Sequence, residues 1–121
     1  MLREEKIEGA CPSIISYQDG SFTLENSERY QGNLLISSLH GVCDLDVASP
    51  DDATISEWLK TYDVVLWGSG SRRVLNGVSR AHVALGVEVM ATDAAVRTFN
   101  ACLAEKRRVI AWLQPPHQDV T

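Results

Sequence analysis

A glycine-rich turn is the segment of this sequence best suited to chemistry. Gly68-Ser69-Gly70-Ser71 follows the apolar run 63–67. Where a buried strand ends in glycines, backbone N–H groups can approach a phosphate or carboxylate, and the next helix directs its positive end there. The dinucleotide fingerprint requires a third glycine where Arg73 stands, and the Gly-Lys-Ser/Thr ending of a Walker loop is absent. Two interpretations remain: a tight strand exit with glycines at positive φ, or a site for a small anion.

A second group of polar residues begins at Thr92, which we expect to cap the next helix. Asp93, Arg97 and Asn100 share one face of that helix. If the two strands that precede the turn and the helix are parallel, both connections emerge on one side of the sheet, and Arg97 and Asn100 reach the turn. They would either bind a ligand or tie the helix to the turn. The candidate ligand-binding residues are Gly68, Ser69, Gly70, Ser71, Thr92, Arg97 and Asn100.

No other set of side chains has a catalytic or metal-binding spacing. The three histidines are far apart in sequence, and the three cysteines include no Cys-x-x-Cys pair. Cys102 is predicted to lie on the buried face of its helix, and Glu88 to point outward from a strand. We therefore predict no catalytic residues, no metal and no cofactor. The residues considered are His40, His82, His117, Cys11, Cys43 and Cys102.

Composition and charge narrow the class of protein. The chain has 121 residues, 45% hydrophobic and 22% charged, as in one small globular domain. The net charge is -5, with 4 basic and 12 acidic residues in 1–63 but 7 basic and 4 acidic in 64–121. This charge argues against nucleic-acid binding, and no apolar run is long enough to insert into a membrane. The unpaired cysteines and the polar, acid-containing start of the chain favour a cytoplasmic location.

Antiparallel strands are predicted for the first half of the chain. Residues 14–17 and 21–24 flank an Asp-Gly turn, which is a strong hairpin signal. Further strands are expected around 30–36 and at 42–47. We place a flexible tail at 1–12, one α/β domain at 13–115 and a second tail at 116–121. The strands of 13–47 are expected to form a hairpin layer.

In the second half of the chain, the spacing of apolar residues changes to a pattern typical of alternating helices and strands. A capping box of Thr54 and Glu57 opens a short helix, and Asn76 is expected to cap another that stops at Gly86. A third helix should run from Thr92 to about Lys106. The buried strands of a mixed sheet are predicted at 63–67, 87–91 and 108–113. The expected core residues are Leu34, Trp67, Val89, Phe99 and Ile110.

The sequence resembles a family of small α/β proteins of undefined biochemistry that includes mitochondrial respiratory complex I assembly factor three and the adipogenesis-associated Mth-domain protein. The similarity runs from about Ile15 to Pro115. It is carried by Tyr17 before Gly20-Ser21-Phe22, by Tyr30-x-Gly32-x-Leu34-Leu35-Ile36, by Asp63 before Gly68-Ser69-Gly70, by Val87-Glu88-Val89-Met90 with Thr92 and Ala95, by Arg97-Thr98-Phe99-Asn100, and by Glu105 with Arg107-Arg108-Val109. The resemblance implies a hairpin layer packed on a mixed central sheet flanked by helices, in a bacterial-type member.

The chain departs from this family at four positions. The family usually has an acid where Ala91 stands, a cysteine at Val96, a threonine at Ser69 and a glycine at Lys106. Without that acid and thiol, an enzyme mechanism is harder to sustain. The resemblance implies a non-enzymatic assembly or protein-interaction role, with an unidentified protein partner. A homo-oligomer is also compatible with the sequence. The alternative is a binder of a small anion, or a weak enzyme, at the glycine turn.

Overall fold

The structure, a computed structural model, describes residues 11–17, 20–45, 50–70 and 86–115. Its first three strands form one antiparallel sheet, in which β2 lies between β1 and β3. The β2–β3 turn places Ser27 at a φ of 76°, as expected for a three-residue hairpin loop that ends in a left-handed residue. The strands are β1 (Ile14–Ser16), β2 (Ser21–Leu24) and β3 (Arg29–Gln31).

The remaining strands form a mixed sheet in the order β5-β4-β8-β6-β7. Strands β4 and β5 pair with each other and β4 with β8 in antiparallel fashion, whereas β6 is parallel to both β8 and β7. Strand β6 is therefore interior and parallel, as its apolar run predicted. The strands are β4 (Leu34–Ser37), β5 (Gly41–Leu45), β6 (Val64–Ser69), β7 (Glu88–Met90) and β8 (Val109–Gln114).

Two helices lie in the described part of the chain, α1 (Asp52–Thr61) and α2 (Thr92–Ala104). Helix α2 packs on β6 and β8. One core contains Phe22, Leu34 and Phe99, and it fills the space between the three-stranded sheet, α2 and one face of the mixed sheet. A second core contains Ile55 and the tilted pair Trp67 and Trp112, whose ring centroids are 5.2 Å apart on the opposite face.

Several predictions from the sequence are confirmed. The five expected core residues are all buried, Cys102 is buried on α2, and Glu88 is exposed. The strands at 63–67 and 87–91 are parallel neighbours. The α/β class with a mixed sheet and an antiparallel sheet is likewise observed.

The hairpin layer is smaller than predicted. We expected 13–47 to form one layer, but only β1 to β3 do so, and β4 and β5 extend the mixed sheet. The physical reason lies in β4, where all four residues are buried because both faces of this strand meet apolar neighbours. The predicted strand at 42–47 is observed as Gly41–Leu45, and its last two residues lie outside the described part.

Both helix starts were predicted incorrectly. The N-cap of α1 is Asp51, whose carboxylate accepts a hydrogen bond from the Thr54 N–H at 2.9 Å, so Thr54 is inside the helix rather than its cap. The N-cap of α2 is Ala91, and Thr92 is the first helical residue because its side chain turns inward. The helix predicted from Asn76 to Gly86 lies almost wholly outside the described residues, as do residues 1–10 of the tail predicted at 1–12 and the whole tail predicted at 116–121.

Candidate functional site

The predicted site centres on Thr92, which joins the carboxyl ends of three strands. Its hydroxyl accepts a hydrogen bond from the Gly70 N–H at 2.8 Å and donates one to the Gln114 carbonyl at 2.6 Å. The Thr92 N–H in turn donates to the Gly70 carbonyl at 2.8 Å. Thr92 is fully buried, at 0% exposure, so these bonds are shielded from water. The result is a closed polar knot, the Thr92 knot, made by Thr92, Gly70 and Gln114.

The glycines of the turn serve close packing and backbone geometry. A Cβ added to Gly68 would lie 2.9 Å from the Leu113 side chain and 3.2 Å from the Thr92 Cα. Gly70 has a φ of 95°, a conformation that other residues rarely adopt. Ser69 donates from its hydroxyl to the Met90 carbonyl at 3.2 Å, which links β6 to β7. The glycines are therefore explained without any ligand.

The N-terminal end of α2 uses much of its own hydrogen-bonding capacity. Thr92 donates its N–H to Gly70, and the Ala94 N–H donates to the Asp93 carboxylate at 2.8 Å. That carboxylate already supplies the negative charge that the helix dipole favours. An anion that approached this helix end would meet the Asp93 carboxylate as a like charge.

Arg97 lies on the solvent side of α2. Arg97 follows Thr92 by five positions. This corresponds to a rotation of about 140° around the helix and a rise of about 7.5 Å along its axis. Its guanidinium is 3.7 Å from the Asp93 carboxylate, and the two side chains are 69% and 51% exposed. Such an exposed pair contributes little to stability. The structure thus pairs Arg97 with Asp93 at the surface, and within the described part of the turn Arg97 makes no bond to Gly68, Ser69 or Gly70.

Asn100 binds a strand at the other sheet, so its predicted position at the glycine turn is wrong. Its amide oxygen accepts the Ile14 N–H at 3.0 Å, and its amide nitrogen donates to the Ile14 carbonyl at 2.9 Å. The reason is distance along the helix, because eight residues place Asn100 about 12 Å beyond Thr92. Its amide thereby fixes the three-stranded sheet to α2.

The structure therefore brings together Gly68, Ser69, Gly70 and Thr92 and separates them from Asn100. Ser71 lies outside the described residues. Sequence reasoning missed the Gln114 carbonyl, the third member of the knot, because a backbone acceptor leaves no mark in a sequence. It also missed Ile14 as the partner of Asn100 for the same reason. Once the structure shows Thr92 to be buried, its hydroxyl is expected to have partners, but this burial was not visible in the sequence.

Two of the three thiols, those of Cys11 and Cys102, are poor nucleophiles near neutral pH. Burial raises the pKa of Cys11 to about 12, with smaller contributions from Cys43 and Glu25. Burial also raises the pKa of the Cys102 thiol above its ordinary value. A thiol whose pKa is raised carries little thiolate near neutral pH. Within the described ranges, no group of three or more His, Cys, Asp or Glu side chains could hold a metal ion.

Comparison with known proteins places this chain among its relatives. The profile of a family described as "Protein of unknown function (DUF498/DUF598)" matches residues 14–114, which is most of the chain. The chain belongs to that family. The match spans both sheets and α2, including Thr92, Gly70 and Gln114. No curated protein matches the chain.

Solved structures of bacterial proteins share the fold of this DUF498/DUF598 member. A Bordetella parapertussis protein is 32% identical, with a TM-score of 0.63 over 88% of this chain and 97% of that one. An outer membrane protein from Bartonella henselae is 29% identical, with a TM-score of 0.65 over 90% and 98% of the two chains. A Bordetella pertussis protein described as an Mth938-like domain is 26% identical, with a TM-score of 0.60 over 95% and 92%.

The family and its neighbours establish the fold, an Mth938-like α/β domain. The family resemblance inferred from the sequence is thereby confirmed. Of the helices that the structure describes, neither is long and apolar enough to cross a membrane.

Proposed function

We propose that this DUF498/DUF598 protein acts by binding another protein, as a small assembly or interaction factor without catalytic activity. The observation that supports this most is the Thr92 knot. The polar groups best placed to receive an anion, the Gly70 and Thr92 N–H groups, donate to partners within the chain. The buried hydroxyl of Thr92 is also fully used. A ligand would have to break these bonds before it could form its own.

The surroundings of the knot support the same proposal. Arg97, the positive charge expected to attract an anion, is paired with Asp93 at the surface. The resemblance to proteins that include an assembly factor points to the same class of function. The thiols Cys11, Cys43 and Cys102 are free, which suits the reducing cytoplasm as the proposed location.

Affinity capture followed by reconstitution tests this proposal. The tagged full chain is used to capture proteins from native extract, and each candidate is then purified and mixed with the untagged chain. We expect one protein to form a complex of defined stoichiometry by light scattering. A partner that binds the folded chain should also raise its melting temperature in a concentration-dependent way.

The opposing outcome is a small-ligand binder. The melting temperature of the purified chain is measured with inorganic phosphate, with phosphorylated metabolites and with carboxylates. A rise with one of these anions, together with no partner that reconstitutes, would overturn the proposal. The Thr92→Ser variant, which keeps the hydroxyl of the Thr92 knot, is measured with the same anions as the matched control.

A further inference from the structure

The outer edge of β3 has backbone groups that face away from its own sheet. In the antiparallel pair, the Leu24 N–H donates to the Glu28 carbonyl at 2.8 Å, and the Gly32 N–H donates to the Gly20 carbonyl at 3.1 Å. Alternation along the register makes Phe22 and Tyr30 a hydrogen-bonded pair. The N–H and C=O groups of Arg29 and Gln31 therefore point away from β2. This row of two donors and two acceptors is called the β3 edge.

The opposite edge of the same sheet is covered at Ile14 by a side chain of α2. The outward N–H and C=O of Ile14 on β1 are both bonded by the Asn100 amide, at 3.0 and 2.9 Å. Asn100 thus takes the place of a neighbouring strand. Across the described residues, no equivalent side chain is bonded to the β3 edge. The three-stranded sheet is accordingly protected on one side and open on the other.

The side chains along the β3 edge indicate the chemistry of a segment that could bind there. Arg29 and Gln31 are exposed on the outer face. The Arg29 guanidinium has a weak contact, 3.5 Å, with the Ser21 hydroxyl, and no carboxylate within ion-pair distance in the described ranges. Tyr30 faces the other way, partly buried against the first core, and its hydroxyl donates to Glu28 at 2.5 Å.

We propose that the β3 edge is the docking surface for an extended segment of another protein, which adds a fourth strand to the three-stranded sheet. The segment would carry an acidic side chain opposite Arg29, and an apolar side chain next to Tyr30 on the inner face. Backbone hydrogen bonds to Arg29 and Gln31 provide affinity, and the alternating side chains provide specificity. This inference rests on the proposed function and identifies the kind of partner.

Amide hydrogen exchange on the full chain tests the proposal directly. The probe is the capped heptapeptide Thr-Val-Glu-Val-Glu-Val-Thr, which reads the same in both directions and so pairs in either orientation. At saturation, we expect exchange of the Arg29 and Gln31 amides to slow about tenfold or more. The Tyr30 amide, already bonded to β2, should change little. Unchanged exchange at Arg29 and Gln31 with millimolar peptide would overturn the proposal.

Charge and backbone variants separate strand addition from other binding. Gln31→Pro removes one outward N–H but no bond to β2, so the fold should be kept and peptide binding should weaken about tenfold or more. Gln31→Ala keeps the N–H and should bind like the unaltered chain. Replacing both glutamates of the peptide by lysine should also weaken binding, because Arg29 would then face a like charge. Equal binding by the Gln31→Pro variant would refute the inference.

Binding of a native partner to the unaltered chain and to the Gln31→Pro variant distinguishes a failure of this inference from a failure of the proposed function. If a partner reconstitutes with the unaltered chain but not with the folded Gln31→Pro variant, both stand. If it binds both chains equally, the proposed function stands and the β3 edge is excluded as its surface. If no partner reconstitutes but the peptide protects Arg29 and Gln31, the surface stands while the assembly role falls.

Discussion

Thr92 and Gly70 hold each other by two reciprocal hydrogen bonds, each 2.8 Å long. The Gly70 N–H donates to the Thr92 hydroxyl, and the Thr92 N–H donates to the Gly70 carbonyl. Because the same hydroxyl also reaches Gln114, the ends of β6 and β8 are fixed to the start of α2. A turn that resembles an anion site in sequence is therefore a structural junction.

Removing the Thr92 hydroxyl should destabilise the protein strongly. Thr92→Val keeps the shape of the side chain but leaves the Gly70 N–H and the Gln114 carbonyl without their buried partner. We expect a loss of about 2–3 kcal/mol in the free energy of unfolding and a melting temperature roughly 10 °C lower. Thr92→Ser should retain most of the stability. A Thr92→Val protein as stable as the unaltered chain in urea unfolding would disprove the structural role.

For stability, the amide of Asn100 should matter far more than the guanidinium of Arg97, which lies three residues nearer Thr92 on the same helix. Asn100→Leu removes both bonds to Ile14 and should cost about 1–3 kcal/mol, with faster amide exchange at Ile14. Arg97→Ala removes only an exposed ion pair and should change stability by less than about 0.5 kcal/mol. A larger effect from Arg97→Ala than from Asn100→Leu would contradict the contacts described here.

Lys106 occupies a left-handed position that glycine would fill with less strain. Its φ is 61°, and the bonds Lys106 N–H to Leu103 and Arg107 N–H to Cys102 complete a Schellman motif at the end of α2. Lys106→Gly should raise the free energy of unfolding by about 1 kcal/mol. Lys106→Ala removes the charge but keeps the strain, so it should give no such gain. Equal stabilities for the glycine and alanine variants would show that strain is not the cause.

Asp51 should make stability depend on pH in the acid range. Hydrogen bonds from Thr54 lower the pKa of this N-cap carboxyl below its ordinary value. A carboxyl with a depressed pKa in the folded state stabilises the fold above its unfolded pKa, and this contribution is lost as the pH falls through the folded pKa.

The variant Asp51→Asn keeps an acceptor at the cap but cannot titrate. It should resemble the unaltered chain near neutral pH and lose less stability on acidification, as measured by urea unfolding between neutral pH and about pH 3. Asp63, whose pKa is lowered by its bonds with Arg108, titrates in both chains, so the difference between them isolates Asp51. Parallel pH profiles for the two proteins would rule out this role of Asp51.

The sequence by itself determined the parts of this protein that depend on local pattern. The apolar run 63–67 predicted the interior parallel strand because a strand buried on both faces has no polar alternation. The spacing of Phe99 and Cys102 predicted the buried face of α2, and the Asp-Gly turn predicted the first hairpin. The family resemblance rested on the same local segments.

Only the tertiary structure decided where the polar groups are used. Gly70 and Asn100 both suit a ligand by residue type, but their partners are a buried hydroxyl and a backbone 86 residues away in sequence. The predicted hairpin layer is divided between two sheets because both faces of β4 are covered by apolar neighbours from other parts of the chain. Hydrogen-bond partners and strand neighbours are long-range choices between chemically equivalent backbone groups, and local sequence does not distinguish those groups.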